Sequence, residues 1–64
     1  MNQNELARRA GYGRSAISMI LKGHRRPSPD GARRLAAACP GTDAMLWLFG
    51  TPKQMLKKMK AAKA

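Results

Sequence analysis

Glycine and proline interrupt this chain so regularly that only short helices fit between them. Turn signals occur at 11–13, 23, 27–29, 40–41 and 50–52. The segments between them are rich in Ala, Leu, Met, Lys and Arg, which favour helix, and poor in β-branched residues. The pattern predicts an all-α chain, a small bundle of about five short helices, with no strand.

The first two segments have the spacing of two helices that pack across a tight turn, a helix-turn-helix over residues 2–23. Asn2 is a good N-cap, and Glu5 three residues later resembles a capping box. Gly11 suits a turn that needs positive φ, and a small residue, Ala7, can stand where the helices cross. Leu6, Ala10, Ile17, Ile20 and Leu21 complete the apolar seam.

The remaining segments predict three supporting helices at 28–39, 43–49 and 52–62, all within a single domain, 1–64. Gly31 is a poor helix former in the first turn of the third helix, and the pattern does not explain it. The fourth helix is apolar nearly all round, so we expect it to be buried on more than one side, with Met45 in the core.

Charge is the strongest compositional signal. Thirteen Lys and Arg face three acids, for a net charge of +10, which favours a polyanionic partner. All the arginines precede residue 51, and the last fourteen residues carry five lysines and no acid. Arg reads base edges with a planar fork, whereas Lys acts more as a point charge. The lysines form either a solubilising surface or a phosphate-binding one, and we favour the second slightly (Lys53, Lys57, Lys58, Lys60 and Lys63).

Other classes of function are poorly supported. The sequence has one cysteine and one histidine, so we expect no disulfide, no metal site and no cofactor, and we expect Cys39 to be a small core residue. No apolar run reaches the length of a membrane span, and no signal peptide opens the chain, so a cytoplasmic location is expected. The three acids all begin helices, where capping explains them, so we expect no enzyme and no small-molecule substrate.

The run QNELARRAGYGRSAISMILKG (3–23), followed by HRRPSPDGARRL, resembles the phage repressor and Cro-like helix-turn-helix family. The shared pattern is a Gln that opens the first motif helix, Leu-Ala, a turn Gly and a Ser-containing recognition helix. After the recognition helix come a Gly, a basic loop and a Pro-Ser pair that precedes another helix. The resemblance covers about residues 2–39. It implies a prokaryotic or phage DNA-binding regulator that acts as a homodimer on double-stranded DNA.

The resemblance, together with the inward apolar face of the second helix, predicts two sets of contacts with DNA. The recognition helix, 14–22, is expected in the major groove. Base contacts are expected from Arg14, Ser15, Ser18 and Met19. Backbone contacts are expected from Gln3, Lys22, His24, Arg25 and Arg26.

Members of this family usually have one more helix before the first motif helix, and this sequence has no room for it after Met1. Either the fifth helix covers the back of the motif, or a second subunit does, or the natural protein begins further upstream. A dimer surface or a surface that closes the core is therefore expected at Trp47, Met55, Leu56 and Met59.

The sequence thus favours a sequence-specific DNA-binding transcriptional regulator, most simply a repressor. Three alternatives stay open. One is a protein-binding module on the same fold, such as an antitoxin or a phage-encoded inhibitor. The second is a non-specific nucleic-acid-binding basic protein. The third is an RNA-binding or membrane-active peptide formed by residues 52–63 alone.

Overall fold

A computed structural model describes residues 1–62, and Lys63, one of the lysines predicted on the last helix, lies outside the described residues. The described chain forms five α-helices and no strand, which confirms the predicted all-α bundle. The helices are α1 (Gln3–Ala10), α2 (Arg14–Leu21), α3 (Pro29–Ala38), α4 (Ala44–Phe49) and α5 (Pro52–Ala61). The predicted ranges of the last three helices and of the recognition helix were each one or two residues too long, because they included residues that cap the helices.

The helix starts are set by side chains that accept hydrogen bonds from the first turn. Asn2, Ser28, Asp43 and Thr51 each accept from the backbone N–H three residues later. At α5 the capping box is complete, because the Gln54 side chain also accepts from the Thr51 N–H at 3.0 Å. At α1 the predicted capping box is incomplete. The Asn2 side chain accepts from the Glu5 N–H, but the Glu5 side chain does not accept from the Asn2 N–H.

One apolar core draws residues from every helix. Leu6, Ile17, Ile20, Leu35 and Met55 are almost completely buried in it. Trp47 is also fully buried, and its indole Nε1–H donates to Thr42 Oγ1 at 3.1 Å. Among residues 1–62 no polar or charged residue is buried, so the core needs no buried ion pair.

The structure explains Gly31. A methyl group at that position would lie 1.7 Å from the Tyr12 hydroxyl oxygen and 3.3 Å from Ser28 Oγ. The Tyr12 ring also lies under the Arg34 guanidinium, 5.0 Å from the ring centre. Gly31 is therefore the residue that lets the turn after α1 pack directly on the start of α3.

The prediction that α4 is buried on more than one side is wrong. Trp47 is its only buried residue, whereas Met45 is 63% exposed and Phe49 is 72% exposed. α4 packs against α3 and α5, and there Trp47 is fully buried while Ala44, Leu46 and Leu48 are only partly buried. The prediction that Met45 lies in the core is therefore also wrong.

Candidate nucleic-acid interface

The N-terminus of α1 and the outer side of α2 together line one shallow concavity. Its walls are Gln3, Asn4, Arg14, Ser15, Ser18 and Met19. The sequence predicted five of these residues as contacts with DNA and missed Asn4. Asn4 stands next to Gln3 in the first turn of α1, but neither its charge nor its hydrophobicity marks it in the sequence.

The amphipathic pattern of α2 sets which side chains line this surface. Ile17, Ile20 and Leu21 are buried against the rest of the chain. On the opposite side Arg14 and Ser15 are exposed, Ser18 is half-buried and Met19 is 45% exposed. The outer side of α2 thus presents one cation, two hydroxyls and one thioether.

The loop after α2 leaves the helix through a Schellman motif. The N–H of Gly23, at φ 83°, donates to the Ile20 carbonyl, and the His24 N–H donates to the Met19 carbonyl. A Cβ at Gly23 would lie 2.7 Å from Pro52 Cγ, so the loop packs closely on the start of α5. The loop carries four exposed basic residues, Lys22, His24, Arg25 and Arg26.

Arg26 is fixed by the fold. Its Nη1 donates to the Gly50 carbonyl at 2.7 Å, which ties the basic loop to the end of α4. A guanidinium has five N–H donors, so this bond uses only part of its capacity. Arg26 therefore makes a structural hydrogen bond to Gly50 and still has free N–H donors next to Arg25.

No acid lies in the concavity or in the basic loop. Glu5, Asp30 and Asp43 stand at helix starts, and the one ion pair of residues 1–62 is Glu5–Arg8 at 4.0 Å. The positive charge of the loop is therefore not neutralised within the described chain.

The residues predicted to form a dimer surface or close the core lie away from this concavity. Trp47, Met55 and Met59 are buried, and Leu56 is half-buried. α5 packs on α2 and α4, and the Met1 ammonium donates to the Ala62 carbonyl at 2.7 Å. The start of α5 thus lies against the loop after α2, and the residue after its end is bonded to Met1.

Residues 1–62 hold no group of three or more potential metal-ligating side chains, and no helix there is long and apolar enough to cross a membrane. Burial raises the pKa of the Cys39 thiol, so the thiol is protonated near neutral pH and is a poor nucleophile.

Comparison with known proteins agrees with this geometry. A family model described as helix-turn-helix matches residues 1–44 of the 64. No curated protein and no solved structure matches significantly. The match includes α1, α2, the basic loop and α3, and domains of this type bind DNA. The chain therefore belongs to the lambda-repressor-like helix-turn-helix family, as its sequence predicted.

Proposed function

We propose that this protein is a sequence-specific transcriptional regulator that binds double-stranded DNA as a homodimer in the cytoplasm and represses by occupying its site. The observation that carries the proposal is the concavity at the start of α1 and α2, which lies next to a basic loop without neutralising acids. An α-helix fits the major groove, and the exposed outer side of α2 is the part that would enter it.

The side chains on α2 suit base edges. The Arg14 guanidinium, in the first turn, can donate two hydrogen bonds to guanine O6 and N7. Ser15 and Ser18 can donate or accept, and the exposed Met19 thioether can pack on a thymine methyl group. These four residues are proposed to specify the sequence.

A second set is proposed to hold the DNA backbone. Gln3 and the missed residue Asn4 stand at the first turn of α1, and Lys22, His24, Arg25 and Arg26 stand in the loop. Contacts to phosphate fix the register of the helix in the groove without reading sequence. The loop adjoins the α2 set, since the His24 N–H donates to the Met19 carbonyl at 2.9 Å.

Selection of binding sites from random DNA, at two salt concentrations, tests the proposal. We expect one enriched sequence whose binding weakens steeply with salt. Arg14→Lys keeps the charge but loses the planar fork, so it should relax preference at one base position and leave the salt dependence unchanged. Arg33→Lys, at an exposed position on α3, is the matched control and should change neither.

The outcome that overturns the proposal is a selection that enriches no sequence. Binding to mixed-sequence DNA that Arg14→Ala and Ser18→Ala leave unchanged would indicate a non-specific basic protein instead. Both variants should first be shown to be folded by circular dichroism.

A further inference from the structure

A second groove, of about 350 Å³, lies between α1 and α3 and shares no lining residue with the DNA-facing concavity. Each of the two helices contributes one exposed arginine to it, Arg9 from α1 and Arg34 from α3. The rest of its lining consists of alanine side chains, Ala10, Ala37 and Ala38. The α1–α3 groove thus sets two guanidinium groups beside a small patch of methyl groups.

Arg34 is held in position by the turn after α1. Its guanidinium carbon lies over the Tyr12 ring, 5.0 Å from the ring centre. Its Nη1 lies 3.4 Å from the point at which a Cβ on Gly11 would stand. A guanidinium that stacks on an aromatic ring keeps the N–H donors in its own plane for a ligand. Because the side chain is already ordered, binding through it loses less conformational entropy.

The two guanidinium groups have no carboxylate partner in the described chain. Glu5 and Asp30 each precede one of the two arginines by four residues, yet the one ion pair of residues 1–62 joins Glu5 to Arg8. No acid lines the α1–α3 groove. The planar fork of arginine pairs with carboxylate or phosphate through two parallel hydrogen bonds. The groove is therefore suited to an anionic ligand.

The alanine lining favours carboxylates carried by a peptide over the phosphates of a nucleic acid. A sugar-phosphate backbone is polar throughout and gains little from methyl groups, whereas a peptide can place an apolar side chain between two carboxylates. The volume is near the lower end of the usual range for ligand sites, about 300–1,000 Å³. A short segment of chain fits such a groove.

A ligand in the α1–α3 groove leaves the DNA-facing concavity open. Asn4 of the concavity and Arg9 of the groove are five residues apart on α1, which places them about 140° apart around the helix axis. α3 contributes no residue to the concavity. The two surfaces can therefore be occupied at the same time.

We propose that the α1–α3 groove binds an acidic segment of a second protein, with carboxylates on Arg9 and Arg34 and an apolar side chain against the alanines. This binding does not depend on the proposed function. Its consequence does rest on that function: the bound protein is brought to the DNA site that the chain occupies.

The test measures, by fluorescence anisotropy in about 0.15 M salt, the binding of a short labelled peptide of Asp and Glu around a central Leu. The double variant Arg9→Gln/Arg34→Gln should weaken binding by about 10-fold or more, since it removes both charge-assisted pairs. Arg33→Gln/Lys58→Gln is the matched control, because it removes the same charge from exposed positions outside the groove. It should cost less than about fivefold.

A second pair of variants keeps every arginine. Ala37→Glu adds a carboxylate to the α1–α3 groove and should abolish binding of the peptide, whereas Ala61→Glu adds the same charge at an exposed position on α5 and should not. A peptide with Ser in place of its Leu should bind wild type more weakly, because it loses the contact with the alanines. Circular dichroism should show that all the variants are folded.

Three results overturn the inference. Equal losses in the two double variants would mean that the net charge of +10 attracts any acidic peptide. Undiminished binding by Ala37→Glu would place the peptide elsewhere. A greater loss of affinity for mixed-sequence duplex DNA in Arg9→Gln/Arg34→Gln than in the control would make the groove a phosphate site. A selection that enriches no DNA sequence would overturn the proposed function and leave the peptide result standing.

Discussion

At the scale of single residues, Gly31 shows how a helix accepts a residue that is poor for helix formation. Glycine costs about 1 kcal/mol relative to alanine inside a helix. The space that a methyl group would need at Gly31 is occupied by the Tyr12 hydroxyl. Glycine at this position therefore lowers helix propensity but allows Tyr12 to pack against α3. The pattern of residues along α3 alone does not reveal this contact.

We therefore predict that the effect of Gly31→Ala on the free energy of unfolding changes sign when Tyr12 is removed. In wild type the overpacking cost of about 1–3 kcal/mol should outweigh the propensity gain, so the free energy of unfolding should fall. In a Tyr12→Ala background the clash is gone, and the same change should stabilise by up to about 1 kcal/mol. Urea unfolding of the four proteins of this double-mutant cycle measures both values. The same sign in both backgrounds would show that Tyr12 does not set the requirement for glycine.

Thr42 is a second single-residue contact that the sequence did not predict. Its Oγ1 accepts from the buried Trp47 indole and donates to the Cys39 carbonyl at 2.7 Å. Thr42→Val keeps the shape but removes both bonds, so it should lower the free energy of unfolding by about 1–3 kcal/mol. Thr42→Ser retains the hydroxyl and should cost clearly less. Equal losses in the two variants, measured by urea unfolding, would mean that the methyl group contributes as much to stability as the two hydrogen bonds do.

At the scale of elements, sequence and structure agree most where a helix has one apolar side. α1 and α2 were predicted closely because each has its buried residues on one side. These are Leu6 and Ala10 on α1 and Ile17 and Ile20 on α2. α4 was mispredicted because its apolar side chains surround the helix, and only the position of α3 selects Trp47 for burial. Asn4 was missed because neither charge nor hydrophobicity distinguishes it from a solvated helix start.

The packing of α5 gives a prediction for that element. Met55 is buried against the rest of the core, so Met55→Ala should cost about 2–5 kcal/mol. Single cores in chains below about 70 residues rarely supply more than 3–5 kcal/mol, so this variant should be largely unfolded at 25 °C. Lys57→Ala, two residues on and exposed, should change stability by no more than about 0.5 kcal/mol. Circular dichroism at 222 nm and Trp47 fluorescence report the loss. A folded Met55→Ala protein would show that α5 contributes little to the core.

At the scale of the whole molecule, the question is which of its many cations reach DNA. Lys53, Lys57 and Lys60 lie together with Leu56 on the outer side of α5, opposite Met55 and Met59. Those two methionines face the core, and α2 has its apolar side turned inward and its concavity outward. The three lysines thus lie on the side of α5 that is turned from the core, and none of them lines the concavity.

The salt dependence of binding can decide between the two roles that the sequence left open for these lysines. The Debye length is about 10 Å in 0.1 M salt, so a lysine that lies farther than that from the duplex is largely screened from it. Each phosphate that a protein neutralises contributes about −0.9 to the slope of log Kobs against log salt. Arg25→Gln should therefore make that slope shallower by about 0.9. Lys53→Gln, Lys57→Gln and Lys60→Gln combined should change it by less than the single arginine does, although three charges are lost. Titrations of the selected site at several salt concentrations measure both slopes. A change near 2.7 in the triple variant, three phosphates' worth, would instead make the outer side of α5 part of the DNA-binding surface.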